Sequence, residues 1–265
     1  YHPTTVMETG YDILFFWVAR MILMTTYTTG EIPFRTVYLH GLVRTKDGSK
    51  MSKSNPESII DPLDMIEKYG TDALRLSLIV GQAPGNDMRI YEEKIASYRN
   101  FCNKLWNIAR YVESNLPEDF TKGAVKPVSS ADHWILERLD KAAETATKQL
   151  ESYDLGQAFD TLYHFIWDDF ADWYIESSKI EQNVDIMAYV LEMTLKLSHP
   201  FAPFVTETIW DTLSWEDSLL ISAEWPKVKS GNSKAAKDFK EIQAIVKEVR
   251  TLQGVMGTSK NTLYY

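Results

Sequence analysis

The 265 residues are 45% hydrophobic and 12% aromatic, enough to bury a sizeable core, which excludes a disordered, collagenous or disulfide-stapled chain. One cysteine, Cys102, leaves no intrachain disulfide and no Cys-x-x-Cys zinc site, and the longest apolar run, Ile13 to Met24, is cut by Arg20 and falls short of the roughly 20 residues of a membrane span. The net charge of −9 argues weakly against a nucleic-acid partner, but residues 1–94, 95–230 and 231–265 carry −2, −10 and +3, so local basic clusters can still attract phosphate within a screening length of about 10 Å.

The chain opens at Tyr1 without an initiator Met or a signal peptide, and a piece of a longer cytoplasmic protein is expected. Thr5-Val6-Met7 reads as a strand leading to Gly10, followed by a long apolar helix from Asp12 to about Tyr27. Thr36 to Val43 is rich in β-branched and aromatic residues and reads as a second strand, so that strand, helix and strand form the βαβ unit of a parallel sheet. Arg44 to Pro56 is a polar, Gly- and Pro-punctuated loop. Asp61-Pro62 opens a short helix that ends at Gly70, and Thr71 or Asp72 caps the next.

From about Glu92 the pattern turns purely helical. Ile95, Tyr98, Cys102, Leu105, Ala109 and Val112 fall on one stripe. Three more stripes come after it: Ile135 to Leu150, Phe159 to Trp173, and Ile186 to Leu197. The connections contain Asn115-Leu116-Pro117 and His199-Pro200-Phe201-Ala202-Pro203. Lys227 to Lys234 reads as a linker into a final helix, Ala235 to Leu252, where Gly254 and Gly257 break the periodicity. The fold class is therefore α/β followed by all-α: a partial Rossmann-like parallel sheet and an antiparallel helix bundle.

Lys50-Met51-Ser52-Lys53-Ser54 places two lysines three apart among small hydroxylated residues, directly after a strand. Two ammonium groups near a phosphoryl centre stabilise charge that builds on its oxygens, although a bare Lys-x-x-Lys is also an ordinary solvated loop. The helix at 95–113 presents Arg99, Asn103, Trp106 and Arg110 opposite its apolar stripe, with Lys104 and Asn107 at the edges. Arginines beside an exposed tryptophan suit an unstacked RNA base; alternatively the tryptophan packs on a neighbouring helix and the arginines are merely solvated. Asp168, Asp169 and Asp172 lack a His or Cys partner in sequence and read as ion-pairing rather than metal-binding groups. His133, His164 and His199 read as core or cap residues, and His2 as a candidate for the nucleotide side.

The five letters Lys50-Met51-Ser52-Lys53-Ser54 are identical to the KMSKS signature of class I aminoacyl-tRNA synthetases, and Asp61 to Arg75 resembles the segment downstream of that signature in the family. Within the class, Thr9 to Met21, Phe101 to Asn107, Trp167 to Tyr174 and His199 to Phe204 resemble the valine-specific members, so the likeness runs from Tyr1 to about Pro226. It implies four parts: residues 1–60 as the second half of the catalytic nucleotide-binding fold, 61–94 as a connecting helical segment, 95–226 as the anticodon-binding bundle, and 227–265 as a linker and the start of a C-terminal extension. The implied reaction joins valine to ATP, used with Mg²⁺, and then passes valine to its tRNA. By the resemblance, Lys53 is the main phosphate-binding lysine and Lys50 assists. Gly10, Asp12, His40, Gly41, Leu42 and Val43 line ATP at the carboxyl edge of the sheet. Asp12, Ile13 and Trp17 wall the valine pocket, unless the last two are ordinary core residues, and Arg99, Asn103, Trp106 and Arg110 meet the anticodon.

An apolar pocket excludes larger side chains but discriminates weakly against isosteric threonine, which is why the family carries an editing domain. No stretch here resembles that domain, and the His-x-Gly-His signature of the first half is absent. Without that signature the chain on its own is expected to be inactive in amino-acid activation, and its start is expected to lie where sequence resumes after the editing insertion. A monomer without membrane contact is expected. The rival readings are a non-catalytic tRNA-binding module, isoleucine rather than valine specificity, and a protein-interaction bundle.

Overall fold

The computed structural model describes residues 1–51 and 60–257. Strands β1 (Thr4–Gly10) and β2 (Phe34–His40) pair in parallel, from Thr4 opposite Phe34 to Gly10 opposite His40. The crossover is a 3-10 turn at Tyr11–Ile13, a wide π turn at Leu14–Val18 and helix α1 (Ala19–Thr29), closed by Gly30 at φ 76°. This is the expected βαβ unit, with the helical run reaching two residues beyond Tyr27. Its apolar side chains stay largely outside: Val18 is buried, but Phe15 is 77% and Trp17 57% exposed.

The strand expected over Thr36–Val43 stops at His40. Gly41 is pressed so closely on the segment before Met88 that a Cβ there would stand 1.7 Å from the Asn86 carbonyl oxygen, and the chain bends. Strand β3 (Val43–Arg44) then pairs in parallel with β4 (Met88–Arg89) in a second small sheet. Two residues show no readable alternation, so β4 is invisible within a stretch that reads as helical.

Helix α2 (Pro62–Tyr69) starts as its sequence demands, with the Asp61 carboxylate accepting the Leu63 N–H at 2.7 Å and Gly70 at φ 88° beyond its end. Helix α3 (Thr71–Ile79) comes next without a side-chain cap. The bundle comprises α4 (Glu92–Ser114), α5 (Ser130–Glu151), α6 (Leu155–His164), a π-helical continuation at Phe165–Tyr174, α7 (Ile175–Ser178), α8 (Val184–Ser198) and α9 (Pro203–Trp210). Phe101, Leu105, Leu139, Phe159, Phe170 and Leu195 lie in its fully buried core. The α4 stripe is broader than expected, since Phe101 and Ile108 are buried while Tyr98 and Cys102 are only partly so. Burial pushes the Cys102 thiol up to about 12. Helix α10 (Ser233–Met256) runs through Gly254 to Gly257, which takes φ 64°, and lies along α5, with the Phe239 ring 4.9 Å from that of Trp134.

Acids of the bundle, of which Asp132, Asp169 and Glu192 are buried, pair within and between its helices. Asp132 forms a capping box with Ser129 and also accepts from the Tyr174 hydroxyl at 2.7 Å and the Asn183 amide at 2.8 Å. Glu192 lies between Lys122 and Lys196, both at 2.8 Å. Asp169 takes Arg138 at 2.7 Å, Asp172 takes Lys104 at 2.8 Å, and Asp168 takes His164 at 2.8 Å. His164 is thereby a surface residue rather than a core one, because two carboxylates of its own helical run, Asp160 and Asp168, hold it at the solvent side. His133 accepts the Asn232 N–H, and His199 meets the Thr206 hydroxyl at 2.9 Å. His2 pairs with Glu31 at the amino end of β1, away from the carboxyl edge and so from the expected nucleotide side.

Asp72 departs most from local expectation. Instead of capping α3 it is 5% exposed and accepts the N–H groups of Phe204 at 3.3 Å and Val205 at 2.6 Å, the first turn of α9. Burial raises its pKa, against the two amide bonds that lower it. Replacing a capping carboxylate by alanine costs about 1–2 kcal/mol, so Asp72→Ala is expected to lower unfolding stability by that amount, and Asp72→Asn, which keeps an acceptor, by less than half of it. Urea titration followed by tryptophan fluorescence measures both.

Candidate functional site

Most of the residues expected to hold a nucleotide meet at the carboxyl edge of β1 and β2. Gly10 stands opposite His40, and a Cβ on Gly10 would lie 2.6 Å from Asp12 Oδ1 and 3.5 Å from His40 Cε1. Glycine thus leaves room for the Asp12 carboxylate to fold over the backbone. His40 is held from two sides, by the Gly41 carbonyl at 2.7 Å from Nδ1 and by Glu8 at 3.3 Å from Nε2. Ile13 and Trp17 come next on the same helical run, both exposed. Glu8, Tyr38 and His40 also line a cavity of about 560 Å³ that Leu78, Gln82 and Tyr153 close from the helical side. Tyr153 adopts φ 62° to reach it, a left-handed conformation that a bulky residue enters only at a cost.

The start of the lysine loop is built on β3. Arg44 forms an antiparallel bridge with Lys50 around a tight turn, with Gly48 at φ 90°. Inside the turn the Asp47 carboxylate accepts from the hydroxyls of Ser49 and Thr45 and from the Ser49 N–H. These bonds, that of Ser49 foremost, pull its pKa down to about 2. Lys50 is exposed, and Met51 leans on the small cluster of Ala73, Leu74, Ile90 and Ile95, as does Ile60. Lys53 lies outside the described residues.

One carboxylate that sequence reasoning passes over, Asp87, connects these pieces. Its Oδ1 accepts the Leu42 N–H at 2.8 Å and the Tyr11 hydroxyl at 3.0 Å, and its Oδ2 pairs with Arg44 Nε at 2.6 Å. The Leu42 N–H, and then Arg44, hold its pKa below the usual carboxylate range. The signal in the sequence is slight: a lone acid between the Gly85-Asn86 turn and two hydrophobic residues flanking Arg89.

The α4 residues Arg99, Asn103, Trp106 and Arg110 are all exposed, Trp106 at 37%. They differ in what surrounds them. The Arg99 guanidinium lies 5.5 Å from the Tyr69 ring centroid, tying one end of the face to α2. The edge residue Lys104 is engaged by Asp172 and lies 4.9 Å from the Trp167 ring centroid. At the other end Asn107, Arg110, Tyr111 and Glu113 line an open depression of about 650 Å³. Among the described residues no group of three or more His, Cys, Asp or Glu converges on a metal position, and no helix is long and apolar enough to cross a membrane.

Residues 1–91 match the family described as tRNA synthetases class I (I, L, M and V), and residues 132–263 match the anticodon-binding domain of tRNA ligase. The chain is 45% identical over 265 residues to a valine–tRNA ligase of Staphylococcus saprophyticus, covering 94% of this chain and 30% of that protein. It is 43% identical over 274 residues to the valine–tRNA ligase of Geobacillus stearothermophilus, covering 97% and 31%. The chain therefore spans just under a third of these relatives. Among solved structures, the Agrobacterium radiobacter K84 agnB2 LeuRS-tRNA-LeuAMS ternary complex superposes with a TM-score of 0.71 at 19% identity, over 88% of this chain and 29% of that one. The Mycobacterium tuberculosis methionyl-tRNA synthetase with methionyl-adenylate superposes with a TM-score of 0.69 at 22% identity, over 82% and 45%. At these identities the likeness is one of fold.

Two outcomes are expected from the site geometry. Gly41→Ala drives a methyl into a backbone carbonyl, and overpacking of this kind costs about 1–3 kcal/mol, measurable as a lowered urea midpoint. Because the Asp47 pKa is depressed, its bonds favour the folded turn above the unfolded carboxylate pKa and are lost as pH falls through about 2. The Ser49 amide resonance should therefore titrate near that pH.

Proposed function

The chain belongs to the class I tRNA synthetases, and on that premise we propose that it is the second catalytic half and the anticodon-binding part of a valine–tRNA ligase. The observation that carries the amino acid is the 43–45% identity to valine–tRNA ligases across nearly the whole chain, beside an exposed apolar pair, Ile13 and Trp17, next to Asp12. In the proposed reaction a valine carboxylate oxygen attacks the α-phosphorus of ATP and pyrophosphate leaves. A ribose hydroxyl of tRNA(Val) then takes the valyl group from the adenylate and releases AMP.

Each group has a role that its chemistry suits. Lys50 and Lys53 neutralise charge gathering on the phosphate oxygens. Gly10 lets the nucleotide approach the backbone, while Asp12 takes ribose hydroxyls or the valine ammonium. His40 to Val43 offer backbone groups to the adenine. Trp106 offers a stacking face for an anticodon base, with Arg110 and Asn103 beside it and Arg99 toward α2. ATP enters with Mg²⁺, which the nucleotide's own phosphate oxygens carry in. The protein is proposed to act as a cytoplasmic monomer in translation. The His-x-Gly-His half of the site is supplied by residues beyond these 265.

The test is pyrophosphate exchange and tRNA charging by the full-length protein. Valine-dependent exchange that falls at least about 100-fold in Lys53→Ala and about 10-fold in Lys50→Ala is expected. Binding of tRNA(Val) at low salt should weaken about 10-fold in Trp106→Ala and Arg110→Ala, and likewise when the anticodon is changed. Exchange with isoleucine in place of valine would transfer the specificity. Binding of tRNA without any exchange would leave a non-catalytic tRNA-binding module.

A further inference from the structure

We propose that Asp87 is the positioning residue of the nucleotide edge, a carboxylate that holds the turn after β1 and the chain leading into the lysine loop in one mutual geometry. The inference rests on the ATP-dependent reading above and adds to it a residue that no motif marks.

Three segments must keep register for one ATP to touch them all: the Gly10–Asp12 turn, the His40–Val43 corner and the root of the loop at Arg44–Lys50. The first two meet where Gly10 ends β1 opposite His40 of β2, but Tyr11 and Asp12 on one side and the chain from Gly41 on the other leave that sheet, and the third stands on the separate β3–β4 sheet. Between the last two the chain at 85–90 acts as a strap. Its Gly85 N–H donates to the Leu39 carbonyl at 2.8 Å, its Met88 N–H to the Leu42 carbonyl at 3.0 Å, and its Ile90 N–H to the Arg44 carbonyl at 2.9 Å. These bonds fix how the corner at Gly41 opens, but they do not reach the first segment. The Asp87 side chain does, because Tyr11 lies between Gly10 and Asp12 and donates its hydroxyl to the same Oδ1 that receives the Leu42 N–H.

Charge assigns a second task to the same group. Arg44 is the cation of β3 from which the loop springs, and its Nε is matched by Asp87 Oδ2 at 2.6 Å. A guanidinium so paired is held in place and partly neutralised, which leaves the loop lysines to answer the phosphates. Without Asp87 the arginine is released toward the same anion, and the turn bearing Asp12 loses its tether. The expected defect is therefore larger for ATP, which would meet all three segments, than for valine, which would meet only Asp12 and the helical run beyond it.

The experiment compares full-length protein with its Asp87→Ala, Asp87→Asn and Tyr11→Phe forms. It measures KM for ATP and for valine in pyrophosphate exchange, Kd for ATP by calorimetry, and the melting temperature. Asp87→Ala should raise both the KM and the Kd for ATP by roughly 10-fold, with KM for valine within about twofold. Asp87→Asn keeps an acceptor for Leu42 and Tyr11 but presents an amide where Arg44 needs a carboxylate, and should raise them about threefold. Tyr11→Phe frees the first turn alone and should do the same. A residue that merely stabilised the fold would lower the melting temperature and the active fraction while leaving the ATP constants in place. Unchanged ATP constants in a folded Asp87→Ala protein, or equal increases for ATP and valine, overturn the proposal. If the alanine form does not fold, unchanged ATP constants in the other two variants overturn it. Absence of exchange in the unsubstituted protein overturns the ligase reading and this inference together, whereas exchange with unaltered ATP affinity in the variants overturns this inference alone.

Discussion

A carboxylate removed from water is costly unless its oxygens are answered, and Asp72 is answered by the part of the chain farthest from it in kind. The N–H groups of Phe204 and Val205 point out of a helix start, where the peptide dipoles are positive, and both converge on this acid. Around it α3 serves two cores at once. Ala73 and Leu74 belong to the small cluster on which Met51 and Ile60 lean, while Leu76 belongs to the large core of the bundle. The nine residues of this helix thus carry both the ends of the lysine loop and an anchor of the helix bundle. The Arg75 guanidinium extends the same seam to the Pro200 carbonyl at 3.3 Å. The two family matches end at 91 and begin at 132, so this seam, rather than chain continuity alone, gives the α/β part and the bundle a common frame.

The distribution of legible and illegible features reflects what local sequence encodes. Helices with an apolar stripe announce themselves, because burial of one face every three or four residues is needed for the bundle to close. Asp61-Pro62 and Ser129 state their helix starts for the same local reason, a polar oxygen within reach of its own chain's orphan amides. Asp72, the second residue of α3, offers the same carboxylate near a helix start but finds its partner 132 residues away, a tertiary contact that no local pattern announces. The break in β2 is hidden because Leu39 to Val43 continues a strand-like pattern; the cause is the Asn86 carbonyl pressing on Gly41, a tertiary contact. The site shows the same division. The lysine loop and the Gly10–Asp12 turn are readable as motifs, whereas Asp87, which joins them, is an isolated acid whose meaning exists only after folding.

The surface of the βαβ unit also differs in kind from that of the bundle. Phe15, Phe16, Trp17, Leu23 and Met24 are exposed on the crossover, a density of large apolar side chains that a free-standing surface seldom carries. In the bundle, by contrast, the charged residues pair across helices and the aromatics interlock, as Phe101 does with Phe159 and Tyr163. The bundle therefore has the energetic features of a self-sufficient core, while the crossover has those of an interface.

The state of Cys102 has a practical consequence. Thiol reagents attack the thiolate, and a sulfur whose proton is held to about 12 supplies almost none at neutral pH. Across this stretch of chain the protein therefore offers a chemically silent background. A cysteine introduced at an exposed position such as Lys46 in the loop turn, or Asn107 on α4, would take a maleimide dye selectively. Two such labels would turn the span between the loop turn and α4 into an optical ruler.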